Sequence, residues 1–261
     1  MPRVPCPTSC AVAPRPSADD AVSVLAKAAQ VVEVLLSSDG PTKLGTLAAE
    51  VQLPKSSIHR LLAELVDLGV ARRGDDGDYR PGYRLVQWGH AADRALGLRA
   101  AAEPLMRELS ATVHESLHLH VPDGHRRVCV AAVDGPHTLR PVIHLGQVMP
   151  LGRGAAGKVL LAYAEPRVRE EAWRLADERT RSHWPDPAAL DEIRERGWAK
   201  SVAEMEPGLT AISAAVSTRT GGALAALTVS GSTSRMSDER CDELLPDLLG
   251  TVRQIGRAVA V

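Results

Sequence analysis

The run Leu53-Pro54-Lys55-Ser56-Ser57-Ile58-His59-Arg60-Leu61-Leu62 decides how this chain is read. Ile58, Leu61, Leu62 and Leu65 fall at i, i+3, i+4 and i+7, which places one apolar stripe along a helix. The opposite side carries Lys55, Ser56, Ser57, His59, Arg60 and Glu64. Pro54 suits the first helical position, where a missing N–H costs nothing, and Gly69 stands where a helix C′ residue belongs. Small polar and basic residues in the first turns equip such a helix to meet base edges and phosphates with its N-terminal end. The same pattern also fits an ordinary amphipathic helix with a solvated polar face.

The flanks separate these readings. Upstream, Thr42 is expected to cap a short helix over residues 43–50, with Leu44, Leu47, Ala48 and Val51 facing inward. Val51-Gln52-Leu53 is then a tight turn into the next helix. An earlier helix, residues 21–37, carries Val24, Ala28, Val31 or Val32, and Leu35 on its inner stripe. Downstream, residues 70–73 and 78–80 flank Gly74-Asp75-Asp76-Gly77, a hairpin with an Asp-Gly turn. Helix, turn, helix and hairpin compose a winged helix-turn-helix. Ser56, Ser57, His59 and Arg60 are its expected groove contacts on double-stranded DNA. Lys55 is expected on the phosphates or the groove edge, and Arg72 and Arg73 sit at the base of the wing, against phosphates or a minor groove.

Composition bounds the alternatives. The chain has 261 residues, 44% hydrophobic and 24% charged, enough for two domains of ordinary size. The formal net charge is −1, so no global basic field draws the chain to nucleic acid. Between Pro54 and Arg84 the cations Lys55, Arg60, Arg72, Arg73, Arg80 and Arg84 nearly balance Glu64, Asp67, Asp75, Asp76 and Asp78. DNA binding must therefore rest on placed charges and on dimerisation. No run approaches the roughly 18 apolar residues of a membrane span. Cys6, Cys10, Cys129 and Cys241 lack metal-binding spacing, and a reducing cytoplasm, near the nucleoid, is the expected compartment. Residues 1–19 read as a disordered Pro-rich tail. Phe is absent and aromatics make up 3%, so the core is built of Leu, Val and Ala.

Residues 84–103 read as one helix, which Pro104 stops or follows with another. Trp88 and Leu96 lie on one side of it. That side is buried either against a second copy of the chain or on its own domain, and paired half-sites favour the second copy. From residue 104 the pattern is mixed. A helix is expected over 104–112, then strands at 116–121, 128–133 and 139–145. Helices follow at 158–163, 166–177 and 187–196, strands at 199–202, 210–216 and 223–229, and a C-terminal helix at 237–261. Short strands with irregularly interposed helices indicate an α+β domain with a mainly antiparallel sheet.

Three motifs compete as chemistry. Gly152-Arg153-Gly154-Ala155-Ala156-Gly157-Lys158 has phosphate-loop spacing, but Val159 replaces the Ser/Thr that holds Mg²⁺. What remains is a loop feeding a helix N-terminus, either a receptor for an anion such as a carboxylate or a stretch of small residues for close packing. His118 and His120 share one face of a strand. No carboxylate or cysteine completes a metal set around them, so pocket lining or surface is the expected role. No nucleophile elbow, His-Glu-x-x-His or tuned carboxylate pair is present, and nothing pairs with Glu204 or Glu206. A hydrolase-type enzyme is the runner-up reading; no catalytic residue, metal or cofactor is assigned.

Four motifs taken together resemble the IclR family of transcriptional regulators across roughly residues 20–260. They are residues 53–62; Pro-Leu-Gly-Arg-Gly-Ala-Ala-Gly-Lys-Val-Leu-Leu-Ala at 150–162; Arg-Gly-Trp-Ala-Lys-Ser-Val-Ala-Glu-Met-Glu-Pro-Gly-Leu at 196–209; and Leu-Ala-Ala-Leu-Thr-Val-Ser-Gly at 224–231. The resemblance implies a winged helix-turn-helix domain at 20–82, a linker and dimerisation helix at 83–103 and a GAF-like effector-binding domain at 104–261. It also implies a homodimer or homotetramer on operator DNA, responsive to a small molecule. The pocket it implies takes Ala155 and Ala156 from the loop, Glu204 and Ala211 from the middle segment, and Thr228 and Ser230 from the last strand. Met149 and Met205 serve as apolar walls. Gln52 departs from the Gly common in the family turn, and Pro81 from a Leu after the wing. Ala211 stands where some members carry a polar or Cys residue.

Overall fold

Three helices and a small sheet close around one apolar cluster in the N-terminal unit. The computed structural model describes residues 23–38, 40–217 and 221–259, apart from the side chains of residues 93, 95 and 96. The tail at 1–19, with Cys6 and Cys10, and the expected start of the first helix at residue 21 lie outside them. The chain divides into two compact units, Met1–Ala92 and Asp93–Val261.

Helix α1 (Val24–Ser37) is capped by Ser23, whose hydroxyl accepts from the Ala26 N–H at 3.1 Å. It buries Val31 and Leu35, whereas Val24 faces solvent. Helix α2 (Leu44–Glu50) and helix α3 (Lys55–Asp67) follow. The apolar stripe of α3, Ile58, Leu61, Leu62 and Leu65, is buried against Val31, Leu35 and Leu47. Pro54 is the N-cap of α3, one residue ahead of its expected place, because its extended ψ of 141° keeps it outside the helix. Gly69, at φ 72°, closes α3: its N–H reaches Val66 O and that of Val70 reaches Leu65 O. These are the paired bonds of a Schellman motif.

Thr42 does not cap α2. Its backbone exchanges hydrogen bonds with Tyr79, at 2.9 and 2.8 Å, adding a bridge to the edge of the wing hairpin formed by β1 (Ala71–Arg73) and β2 (Tyr79–Pro81). The backbone of a buried residue must be paired, and the wing strand supplies the partner. Gln52, which departs from the turn the resemblance implies, adopts φ 57°. This is the left-handed region, which a residue with a side chain enters at a steric cost. Replacing exposed Gln52 with Gly is expected to raise the unfolding free energy of this unit by about 0.5–1 kcal/mol, since the steric cost removed exceeds the entropy added to the unfolded chain. Thermal or urea melts of the two proteins check the sign.

The helix expected over 84–103 is two helices, α4 (Tyr83–Leu96) and α5 (Leu98–Val113). The break falls at Gly97, which takes φ 62°, and not at Pro104. Pro104 lies on the exposed side of α5, opposite buried Ala102 and Met106, where losing one backbone hydrogen bond is tolerated. On α4, Tyr83, Val86 and Trp88 are exposed.

The C-terminal unit is built on a six-stranded antiparallel sheet in the order β5-β4-β3-β8-β7-β6. Its strands are β3 (Ser116–Asp123), β4 (Arg126–Val133), β5 (Val148–Pro150), β6 (Trp198–Val202), β7 (Leu209–Ser217) and β8 (Ala223–Ser232). One face carries Leu117, Leu119, Ile212, Leu227 and Val229 against α5 and α10 (Asp238–Val259). The other is partly covered by α6 (Gly154–Tyr163), whose Ala156, Val159 and Leu160 pack with Ala199, Ala215 and Ala226, and by α7 (Pro166–Leu175) and α9 (Pro187–Arg196). A short helix, α8 (Glu178–Arg181), joins α7 and α9 and carries no apolar stripe to announce it. The strand expected at 139–145 is absent. That stretch is a loop with Leu139, Val142 and Leu145 exposed, and pairing with β4 begins only at Val148.

Candidate functional site

On the N-terminal unit, burial of the α3 stripe leaves Lys55, Ser56, His59 and Arg60 exposed and Ser57 half-buried on the solvent side. The four predicted groove residues and Lys55 therefore share one accessible surface in the first turns of α3. The wing arginines are exposed but point apart, because successive strand residues face opposite sides. Arg72 lies 4.8 Å over the Tyr83 ring and donates to its hydroxyl at 3.2 Å, whereas Arg73 lies over Tyr79.

On the C-terminal unit, a cavity of about 440 Å³ opens on the sheet face that α6 leaves uncovered. A β-bulge shapes it. The β3–β4 register slips between Leu119 and His120, so Ala131 opposes Leu119 on the helix-covered face while Cys129 opposes His120 on the cavity face. Arg127 follows Cys129 onto the same face, which is how a bulge re-aims side chains. The residue rows across the strands put Ser201, Ala211 and Ser230 side by side, with Ser213, Thr228 and His118 in the next row. Their hydroxyls form a chain: Thr228 donates to Ser213 Oγ, Ser213 to Leu227 O, and Ser230 Oγ sits 3.3 Å from His118 Nδ1. Loop residues Leu139, Val142 and Ile143, with Met149, Met205 and Leu209, supply apolar wall.

Of the residues the resemblance implied, Met149, Ala155, Ala156, Met205, Ala211, Thr228 and Ser230 line this cavity. Glu204 is turned aside. Its carboxylate accepts from the Gly154 N–H at 2.9 Å and from Lys158 Nζ at 2.5 Å. The first N–H of α6 and the lysine of the apparent phosphate loop thus already have an internal anion. Helix α6 begins at Gly154, four residues before the expected start. The loop's small residues serve close packing: a Cβ on Gly154 would approach Met205 Cγ to 2.9 Å, and one on Gly157 would collide with the Arg127 guanidinium.

Of His118 and His120, expected as pocket lining or surface, His120 lines the cavity, and both are buried, at 0 and 1% exposure. Burial lowers the His118 pKa to about 4, against a weaker upward pull from Asp134. Burial, then the Arg127 and His118 charges, hold His120 well below the usual histidine range. Neither ring nitrogen of His120 has a hydrogen-bond partner, nor does His118 Nε2. Among the described residues no three His, Cys, Asp or Glu side chains are grouped to hold a metal.

Known proteins place this architecture. The family described as "IclR helix-turn-helix domain" matches residues 24–75, and "Bacterial transcriptional regulator IclR C-terminal" matches residues 90–257. The chain belongs to the IclR family. It is a DNA-binding transcriptional regulator with a C-terminal effector-binding domain. It is 31% identical to the HTH-type transcriptional regulator KdgR of Escherichia coli, covering 90% of this chain and 92% of that one. Identity to the glycerol operon regulatory protein of Streptomyces coelicolor is 30%, over 92% and 95%. In structure it resembles an IclR homolog from Microbacterium hydrocarbonoxydans complexed with 4-hydroxybenzoate, at TM-score 0.78 and 24% identity, over 91% of this chain and 99% of that one.

Sequence reasoning about this IclR-family chain missed one group at the cavity. Arg127 is 2% exposed and lines it. Its Nη1 donates to Arg153 O at 2.9 Å and to Pro150 O, and its Nη2 lies 3.8 Å from the sulfurs of Met149 and Met205. Its Nε has no partner. Burial, and the nearby Arg153, lower its pKa to about 9. No local signal marked it: Val128 and Val130 hold the apolar phase of β4, and Arg127 lies on the other phase, which only the tertiary structure buries.

Proposed function

We propose that this regulator reads operator DNA with α3 and changes its DNA affinity when a small molecule occupies the 440 Å³ cavity. The observation that carries the reading is the joining, in one chain, of a winged helix with its polar face free and a domain whose sheet face holds a cavity walled by apolar side chains and floored by hydroxyls. Lys55, Ser56, Ser57, His59 and Arg60 serve base edges and phosphates, and Arg72 and Arg73 serve the flanking backbone. Met149, Ala155, Ala156, Met205, Ala211, Thr228 and Ser230 contact the effector, with Glu204 holding the loop beside them. The protein works without catalysis, in the cytoplasm, as a homodimer or homotetramer. Exposed Tyr83, Val86 and Trp88 on α4 suit burial against a second copy. Residues 20–82 form the DNA-binding domain, 83–103 the linker and 104–261 the effector domain.

Coupling is thermodynamic linkage: an effector that binds one protomer arrangement better shifts the population toward it, and with it the fit to two half-sites. A carboxylate effector agrees with the 4-hydroxybenzoate complex of the relative. The test is a gel shift of the full chain on DNA from upstream of its own gene, at two salt concentrations, with small carboxylates added. Specific retardation with steep salt dependence, altered by at least one of them, is expected. Thr228→Val is expected to weaken the effector response about tenfold while DNA binding stays intact, because it removes a hydroxyl from the cavity floor. An unchanged response would place the effector elsewhere.

A further inference from the structure

Three cationic side chains, Arg127, Arg153 and Lys158, are gathered under the cavity around a single buried carboxylate, Glu204. Glu204 is spent on Lys158 and Gly154. Among the described residues no carboxylate forms an ion pair with Arg127. An ionised guanidinium held in a protein interior without a counterion is costly, and such sites concentrate where a ligand supplies the missing charge. Arg127 and Arg140 both line the cavity with an unpaired Nε, but Arg140 is partly exposed and ion-paired with Asp134, whereas Arg127 is buried without an ion pair among the described residues. His120 stands beside it on the same sheet face, 1% exposed, with both ring nitrogens unpaired. A neutral imidazole carries one N–H donor.

We propose that Arg127 and His120 form the anion-binding end of the effector site, so that the effector is an organic carboxylate whose charged group docks on the Arg127 guanidinium and the His120 N–H. This rests on the reading of the cavity as the effector site. The start of α6 is the poorer receptor, because an anion there meets the Glu204 carboxylate, which already holds the Gly154 N–H. Arg140, also at the cavity, is paired with Asp134 at 3.1 Å, and Glu206 lines the cavity from a solvent-exposed position. Leu139, Val142, Ile143, Met149, Met205 and Leu209 contribute apolar surface, so the rest of the ligand is a hydrocarbon or aromatic body. Its size falls in the lower part of the range for ligand pockets. The hydroxyls of Thr228 and Ser230 suit a polar substituent on that body.

Matched acid and amide probes separate the charge from the shape. Benzoate, 4-hydroxybenzoate and hexanoate, each against its primary amide, are titrated calorimetrically into the full-length protein. The acids are expected to bind at least about thirtyfold more tightly than their amides, the scale of leaving a buried charge unpaired. Arg127→Met is expected to fold, because the apolar side chain replaces an unpaired buried charge, and to erase the preference for acids. Should Arg127→Met fail to fold, Arg127→Lys is the second variant: it keeps the charge without the planar fork, and is expected to retain the preference at weaker affinity. His120→Phe is expected to weaken acid binding about tenfold, the scale of one hydrogen bond to a charged group. The inference is overturned if wild-type protein binds none of the acids or binds amides equally, or if acid affinity survives Arg127→Met. Loss of the preference in Arg127→Lys overturns it too, and unchanged acid affinity in His120→Phe removes His120 from it. Ala211→Phe, which fills the cavity, distinguishes the two levels. If acids still bind that variant, the cavity reading itself fails; if only the Arg127 arm fails, the cavity reading stands and the anion end does not.

Discussion

Acidification from pH 6.5 to pH 4 is expected to remove about 3 kcal/mol of stability through His118 alone. The histidine is neutral in the fold, with a pKa of about 4, because burial penalises its charged form more than Asp134 favours it. Unfolded, it titrates near 6.5. Below that value the unfolded chain takes up a proton that the folded chain refuses. The stabilisation is therefore complete above pH 6.5, declines as the pH falls, and is lost below about 4. His120, shifted the same way by burial and by Arg127, steepens the loss. Urea denaturation of the wild type and of His118→Asn at pH 7.5, 6, 5 and 4.5 checks this, since the difference between the two proteins isolates the histidine from the carboxylates. Asparagine retains a hydrogen-bonding group for Ser230. Parallel pH profiles would refute the neutral buried histidine.

Arg60→Ala is expected to weaken specific operator binding by about 1–3 kcal/mol per recognition helix while leaving the melting temperature unchanged. Arg60 is exposed between buried Ile58 and Leu61, so its removal takes a donor from the DNA-facing surface and nothing from the core. With two helices engaged, the loss doubles. Lys55→Ala is the contrasting variant. Without the ammonium that neutralises a phosphate, affinity falls on all sequences alike and the salt slope drops by about one, with specificity unchanged. Fluorescence anisotropy on operator and on scrambled DNA separates the outcomes. Equal operator affinity in Arg60→Ala and wild type would assign base reading to another surface.

Much of the DNA-binding unit is legible in the sequence because its signals are local. The spacing of Ile58, Leu61, Leu62 and Leu65, the left-handed stop at Gly69 and the Asp-Gly hairpin each act within a few residues. The differences there are matters of partner choice: Thr42 is a plausible cap by its own chemistry, but its backbone is claimed by Tyr79, which lies far along the chain. In the C-terminal unit most strands are visible as short apolar runs, with alternation clear at 116–121. The 139–145 stretch has the apolar residues of a buried strand, yet Leu139, Val142 and Leu145 remain exposed in a loop, and Leu139 and Val142 border the cavity.

The amino-acid pattern alone thus determined the winged helix, the antiparallel α+β class, the family and the polar face of α3, since periodicity, capping and motif order are properties of short segments. Tertiary structure decided the cavity and its lining. Whether Glu204 faces a ligand or holds Gly154 and Lys158, and whether Arg127 is a surface charge or a buried guanidinium, depends on a one-residue slip between β3 and β4 and on the closeness of Gly157. A bulge reverses which strand residues face inward, and a glycine sets how near a helix approaches. Both take effect only when segments far apart in the chain meet, and there the burial of charge, and with it the chemistry of the cavity, is set.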